Sequence, residues 1–201
     1  GATQNLFGVD VVIGNFGAFV NNSPFRLKNL FIPTITGTLY LMSNSSGTGQ
    51  FLNSNTLTGN IEIEQHLFGN QWNFLGIPVS TITASSLIPD ATLATSTLNG
   101  GTYTYNNDGD YWIFGHNQEE RATYGASDLE WEPVNTGDLY GGVGYIVWCD
   151  VAQKAVFTGS LVTTMTQSLF YTELGNVQDR GWNLISNPYL APFTWDNSIV
   201  T

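Results

Sequence analysis

The chain has 201 residues, which is enough for one ordinary domain or two small ones. Charged residues make up only 10%, whereas hydrophobic residues reach 42% and aromatic residues 13%, which favours a packed core over a disordered linker. Five basic residues stand against 16 acidic ones, and the resulting net charge of −11 excludes nucleic acids as partners because phosphates repel it. No apolar run is long enough to span a membrane. The single cysteine, Cys149, excludes an internal disulfide and a four-cysteine zinc site.

Short β-branched and aromatic runs recur between clusters of Gly, Asn, Asp and Ser, while helical periodicity is nearly absent. In one run, Ile61 and Ile63 alternate with Glu62 and Glu64, as expected of a strand with one buried face. The predicted strands are Val9–Ile13, Thr38–Met42, Asn60–Leu67, Trp72–Pro78, Thr102–Tyr105, Tyr111–Phe114, Glu130–Val134, Gly144–Trp148, Ala155–Thr158, Leu161–Met165, Leu169–Glu173 and Trp182–Asn187. This pattern predicts an all-β fold, a β-sandwich with jelly-roll or Greek-key topology.

Two parts of the chain are distinguished. Residues 1–66 are predicted to be an N-terminal β segment, which belongs either to the same sandwich or to a separate solenoid-like element, and residues 67–201 are predicted to be the sandwich domain. Within the second part, residues 81–100 predict a long crossover loop with one helical turn at most. Aromatic residues on both sides of the Asp-Gly turn at residues 106–110 predict a hairpin.

An internal repeat links two distant segments. Trp72–Pro78 and Trp182–Pro188 share a Trp, an Asn, a large apolar residue and a Pro at the same offsets, which predicts a duplicated β unit with both tryptophans in the core. The predicted core contains Leu39, Leu41, Ile61, Ile63, Trp72, Phe74, Tyr145, Val147, Phe157, Leu161, Trp182 and Leu184.

One metal site is conceivable. Asn106, Asp108 and Asp110 alternate like the oxygen ligands of a calcium loop, but the full loop spacing and the closing Glu are missing. A solvated Asp-Gly hairpin is the alternative that the pattern favours. No other cofactor is predicted.

Paired carboxylates raise the possibility of a glycosidase. Glu130 with Glu132, or Glu62 with Glu64, would share a strand face. Alternation with apolar residues is equally typical of an exposed strand face. The acidic residues between positions 119 and 138 are predicted to lie on a long exposed loop. Cys149 lies within an apolar predicted strand and is predicted to be buried and packed in the core. The chain is therefore predicted not to be an enzyme.

The six tryptophans and nine tyrosines suggest a contact surface. Trp112, Trp131 and Trp148 are the predicted platforms for a carbohydrate or another partner, with a filled core as the alternative. Assembly through strand edges is the other prediction, with Leu6, Phe7, Ile199 and Val200 on the joining strands.

Several motifs resemble a known family. The residues concerned are Gly37–Leu41 with Ser46–Thr48, Asn60–Leu67, Trp72–Val79, Gly142–Tyr145, Val156–Gly159, and Gly181–Tyr189 with Thr194–Asp196. Their order resembles that of large secreted and surface proteins of Bacteroidetes that leave the cell by type IX secretion. The sequence departs from that family at Leu190-Ala191-Pro192, and no type IX sorting domain follows, so we expect a fragment of a longer protein or a divergent member.

The resemblance implies an exported β-module at the outer cell surface or outside the cell. The sequence therefore predicts a non-enzymatic structural or adhesive module that self-assembles into a filament or surface layer, with copies of itself or neighbouring domains as partners. The alternative is a carbohydrate-binding module of a larger secreted protein, with surface glycans as its ligands. A hydrolase using Glu130 and Glu132 is the third hypothesis.

Overall fold

The computed structural model describes residues 11–12, 19–21, 26–28, 30–31, 38–48, 50–52, 60–99, 102–106, 108–159, 162 and 165–189. Strands dominate these ranges, joined by the helix α1 (Gln118–Tyr124) and by 3₁₀ turns at Ala84–Ser86, Asp128–Glu130 and Val177–Asp179. The strands are β1 (Val11–Val12), β2 (Phe19–Asn21), β3 (Arg26–Lys28), β4 (Leu30–Phe31), β5 (Thr38–Leu41), β6 (Ser43–Asn44), β7 (Gly47–Thr48), β8 (Gln50–Leu52), β9 (Asn60–Leu67), β10 (Gln71–Gly76), β11 (Thr81–Thr83), β12 (Ser96–Asn99), β13 (Thr102–Tyr105), β14 (Tyr111–His116), β15 (Trp131–Pro133), β16 (Asp138–Tyr140), β17 (Gly144–Cys149) and β18 (Gln153–Gly159). The predicted all-β class is confirmed.

Two four-stranded sheets organise the described chain. The front sheet has the order β10-β17-β14-β15 and is antiparallel throughout. The back sheet has the order β18-β9-β5-β2, in which β18 and β9 are antiparallel while β9, β5 and β2 run parallel. Strand β9 therefore joins the N-terminal strands to the rest of the chain, and the predicted boundary after residue 66 falls inside it.

The N-terminal strands pair in parallel at regular intervals along the chain. Val11 pairs with Leu30 and Arg26 pairs with Gln50, while Phe19 pairs with Leu39, which pairs in turn with Ile61. Parallel partners need a long return connection, and successive returns to the same lateral position are typical of stacked solenoid turns. The segment nevertheless shares one core with the rest of the chain through Leu41, Ile61 and Ile63, and its division from residues 67–201 stays a prediction.

Both sheets contribute side chains to one hydrophobic core. Phe157 and Ile61 of the back sheet are fully buried, as are Tyr111 and Val147 of the front sheet. The Tyr111 hydroxyl donates to the Ala84 carbonyl at 2.9 Å, and burial raises its pKa to about 12. Leu41, Ile63 and Tyr145 are also buried as predicted. The jelly-roll or Greek-key topology stays a prediction.

Several sequence predictions about the core are wrong. Trp72, Phe74 and Trp182 have exposed fractions of 50%, 74% and 56%, and Leu184 is only partly buried. Apolar residues lie on both faces of β10, so the sequence does not reveal which face is buried. Leu161 and the side chain of Leu39 lie outside the described part of the structure.

The predicted hairpin around the Asp-Gly turn is also wrong. Strand β13 pairs with β12, whereas β14 pairs with β15 and β17. The intervening turn instead binds the segment before β12, because Asp110 exchanges backbone and side-chain hydrogen bonds with Thr92. Strands β11 and β12 lie at the two ends of the predicted crossover loop, and the helical turn expected there is found at Ala84–Ser86.

Two predicted strands near the C-terminus are absent from the described residues. Leu169–Glu173 has no regular structure, and Trp182–Asn187 forms only one bridge, between Ile185 and Val143. The Asn183 side chain accepts a hydrogen bond from the Phe170 amide and donates one to the Phe170 carbonyl. These are the two backbone groups that a neighbouring strand would otherwise bind. Leu161–Met165 lies mostly outside the described residues.

Candidate functional site

Aromatic side chains cover the outer surface of the front sheet. Since successive residues of a strand point to opposite faces, Trp72 and Phe74 point outward while Asn73 and Leu75 point to the core. The strand register places Trp112 and Phe114 of β14 and Ile146 and Trp148 of β17 on the same face as Trp72 and Phe74, although Phe114 and Ile146 are themselves buried. We call the resulting surface the aromatic face, and it consists of Trp72, Phe74, Trp112, Phe114, Trp131, Ile146 and Trp148 with Tyr105 from β13 beside it.

The strand register places these side chains in two rows. Trp148 of β17 lies directly opposite Trp72 on one side and Trp112 on the other. In the next row, Ile146 lies between Phe74 and Phe114 in the same way. Cross-strand neighbours on one face touch, so the rows form a continuous apolar surface.

The rings meet edge to face. Trp72 makes angles of 66° with Trp148 and 79° with Phe114, at centroid distances of 5.4 and 5.3 Å. Tyr105 meets Phe114 at 64° and 5.9 Å. Edge-to-face contact is the favoured aromatic geometry. Because the rings stand at angles to one another, hollows lie between them and the aromatic face is not flat.

Two adjacent hollows of about 300 Å³ result, which we call the first and second cups. Trp72, Tyr105 and Phe114 line both of them. The first cup is completed by Trp112, Trp148 and Asp150, and the second by Phe74, Trp131 and Ile146. This volume is at the lower end for small-molecule sites.

Among the residues that the structure describes, Asp150 is the only charged one lining either cup. Its Oδ1 accepts a hydrogen bond from the Trp148 indole nitrogen at 3.0 Å, which orients both side chains. The Trp112 indole nitrogen, in contrast, is buried and without a hydrogen-bond partner in the described part of the structure. The site thus combines many ring surfaces with few polar groups, as small-molecule sites do.

The three tryptophans predicted as platforms all lie on this face. Trp112 and Trp148 line the first cup, and Trp131 lines the second. Sequence reasoning assigned Trp72 and Phe74 to the core and did not select Tyr105, Phe114 or Asp150. Aromatic residues two positions apart in β10 and β14 were the available signal, but the pairing that brings these strands together is not visible in the sequence.

The repeated Asn has the same role in both copies of the internal repeat. Asn73 accepts a hydrogen bond from the Phe68 amide and donates to the carbonyls of Phe68 and Gln71. Asn183 accepts from the Phe170 amide and donates to the carbonyls of Phe170 and Gly181. Each side-chain amide is hydrogen-bonded to both the backbone amide and the backbone carbonyl of one phenylalanine. We call this arrangement the Asn clasp.

The predicted calcium ligands are partly engaged in local structure. The Asn106 side chain donates to Thr95 Oγ1 at 2.9 Å, and Asp110 Oδ2 accepts from the Thr92 amide at 2.7 Å, while Asp108 is exposed. No group of three His, Cys, Asp or Glu side chains within the described ranges could hold a metal ion. Calcium at this turn stays a prediction.

The predicted carboxylate pairs have separate partners. Glu130 ends a 3₁₀ turn rather than sharing a strand with Glu132, and the acidic stretch contains α1 rather than a long loop. Glu132 accepts from the Asn117 side chain at 2.7 Å. On the back sheet, Glu64 forms an ion pair with Lys154 at 2.8 Å.

A charged cluster lies beneath the helix. Arg121 binds Glu130 Oε2 at 2.7 Å and Asp179 Oδ1 at 3.1 Å, and its guanidinium lies 5.4 Å from the centre of the Trp182 ring. Burial lowers the pKa of His116, although the Glu130 carboxylate at 3.8 Å opposes this shift. The cluster joins α1 to two other segments, which is a structural role.

Cys149 is fully buried in β17, as predicted, and burial raises the pKa of its thiol to about 12. Because the thiolate is the reactive form, we expect no alkylation of the folded protein by iodoacetamide at pH 8. Unfolding in guanidinium should release one reactive thiol per chain, measured by mass spectrometry. Labelling of the folded protein as fast as a free cysteine would contradict this assignment.

The predicted assembly residues Leu6, Phe7, Ile199 and Val200 lie outside the described residues. Across the described ranges, no helix has the length and apolar character that crossing a membrane requires. No protein family, curated protein or solved structure matches this chain.

Proposed function

We propose that the chain is a non-enzymatic module of a surface or secreted protein and that it binds a glycan on the aromatic face. The observation that carries this proposal is the pair of cups between Trp72, Trp112, Trp148 and their neighbours. A sugar ring has apolar C–H faces that pack against aromatic rings, and hydroxyl groups that need a few polar partners at the edge. Trp148 and Asp150 provide both kinds of contact in the first cup.

The exposure of these rings supports a binding role. Trp72, Phe74 and Tyr105 have exposed fractions of 50%, 74% and 47%, and they are neighbours on one face. A contiguous apolar patch is uncommon on a protein without a partner for it. The formal net charge of −11 disfavours polyanionic glycans and favours neutral or cationic ones.

Removal of one indole from the first cup tests the proposal. We expect Trp148→Ala to weaken binding of a soluble polysaccharide by roughly tenfold or more, because a central aromatic contact carries about 2 kcal/mol. Titration calorimetry against a panel of neutral and amino-sugar polysaccharides measures the change.

The matched control is Trp182→Ala, which removes an indole that is 56% exposed and lines neither cup. This variant should bind like the original chain. If no member of the panel binds, or if both variants lose binding equally, the proposal is wrong.

Self-assembly is the second candidate function, and a second exposed apolar segment favours it. Leu169, Phe170, Tyr171, Leu174 and Val177 all have exposed fractions above one half. Exposed apolar segments of this kind mark protein contacts. Negative-stain electron microscopy over a range of concentrations separates the two functions, since assembly gives regular filaments or sheets and glycan binding alone gives dispersed particles.

A further inference from the structure

We infer that the first cup holds an ammonium group, so that the preferred glycan contains an amino sugar with a free, protonated amine. This inference rests on the glycan-binding function proposed above and names the ligand class for that site. It follows from the angles between the rings and from the position of the Asp150 carboxylate.

The ring angles favour contact with a compact group. In the first cup, Trp72 stands at 66° to Trp148 and at 79° to Phe114, so neighbouring walls meet at steep angles. Rings at such angles contact a small group in this open hollow from more than one side, and ring faces attract a cation within about 6 Å of their centres.

The charges point to the same ligand. Asp150 lies in the wall of the first cup and is exposed, and its Oδ1 is held by the Trp148 indole nitrogen. No basic residue of the described ranges lines either cup. Aromatic rings with one carboxylate form the combination that binds organic ammonium ions, whereas a glycan carboxylate or sulfate would be repelled.

The second cup differs from the first in that none of its described lining residues is charged. Trp131, Phe74 and Ile146 complete it, and it shares Trp72, Tyr105 and Phe114 with the first cup. A neutral sugar ring suits such a lining. The two cups therefore fit neighbouring sugar residues, of which the one in the first cup carries the amine.

The test compares two oligosaccharides that differ only in the amine. Glucosamine oligomers with free amines and their fully N-acetylated equivalents of the same length are titrated by calorimetry, at a pH at which the amine is protonated. We expect the free-amine oligomer to bind at least fivefold more tightly and to lose this preference in high salt. Tetramethylammonium chloride should compete with it.

The variant Asp150→Asn removes the carboxylate and keeps the shape of the side chain. It should weaken binding of the free-amine oligomer roughly five- to tenfold more than binding of the acetylated oligomer, for which the asparagine remains a polar partner. Asp90→Asn is the control, because it makes the same change in net charge at an exposed residue that lines neither cup.

The outcomes separate this inference from the proposed function. Equal binding of the two oligomers, unchanged by Asp150→Asn, would overturn the inference and leave glycan binding intact. Binding of tetramethylammonium without either oligomer would overturn the amino-sugar assignment. Failure of both oligomers and of every polysaccharide in the panel would overturn the proposed function as well.

Discussion

Replacement of Phe157 by alanine is expected to lower the free energy of unfolding by about 3–5 kcal/mol. Phe157 has an exposed fraction of 0% and lies on β18, opposite Ile63 of β9. Its ring belongs to the core to which both four-stranded sheets contribute. The variant loses the burial of the ring and leaves a cavity that the surrounding strands fill only in part. Urea unfolding, followed by tryptophan fluorescence and by circular dichroism, measures the change.

The matched control is Phe74→Ala on the aromatic face. Phe74 has an exposed fraction of 74%, so its removal should change the free energy of unfolding by about 0.5 kcal/mol or less. Equal losses for Phe157→Ala and Phe74→Ala would contradict the burial of Phe157 and the exposure of Phe74. Phe74→Ala is also to be included in the glycan titrations, where loss of the Phe74 ring from the second cup should weaken binding.

The variant Arg121→Met is expected to lower the free energy of unfolding by about 3 kcal/mol. Arg121 binds both Glu130 and Asp179, whose side chains have exposed fractions of 10% and 17%. Methionine fills similar space but leaves both carboxylates without their cation, and a largely buried charge without a partner is costly. The variant should also release the segment around Val177–Asp179 from α1, which hydrogen exchange would detect.

Two further variants distinguish the charge effect from loss of packing. Lys154→Met breaks the ion pair with Glu64, but Lys154 has an exposed fraction of 44%, so the expected loss is at most about 1 kcal/mol. The double variant Arg121→Met, Glu130→Gln should recover part of the loss, since one unpaired carboxylate is removed with the cation. A loss in Lys154→Met as large as that in Arg121→Met would contradict the assigned roles.

The class of the fold could be predicted from local patterns, whereas the pairing of strands could not. Alternation of Ile and Glu was sufficient to predict β9 from Asn60 to Leu67 with its bounds. The hairpin prediction failed because the sequence does not show that Asp110 binds Thr92 instead of closing a turn between β13 and β14. Likewise, the sequence around Asn183 does not show that its side chain forms hydrogen bonds with the backbone amide and carbonyl of Phe170.

The candidate site could be predicted in part for the same reason. Trp112, Trp131 and Trp148 are polar-tipped aromatic residues in predicted strands, which is enough to suggest a contact surface. Trp72 was assigned to the core because large aromatic residues usually lie there, yet both faces of β10 carry apolar residues. Only the register that places Trp72 opposite Trp148 decides between the two faces.

The Asn clasps make the chain sensitive to a slow chemical change. Hydrolysis of the Asn73 side-chain amide would convert its NH₂ group, which donates to the carbonyls of Phe68 and Gln71, into a carboxylate oxygen. The new carboxylate oxygen would then face two carbonyl oxygens, which are also acceptors. Residue 73, which is 8% exposed, would in addition carry a negative charge. Deamidation at Asn73, and in the same way at Asn183, would therefore open a clasp without altering the length or shape of the side chain, so ageing of this protein depends on how well both amides are shielded from water.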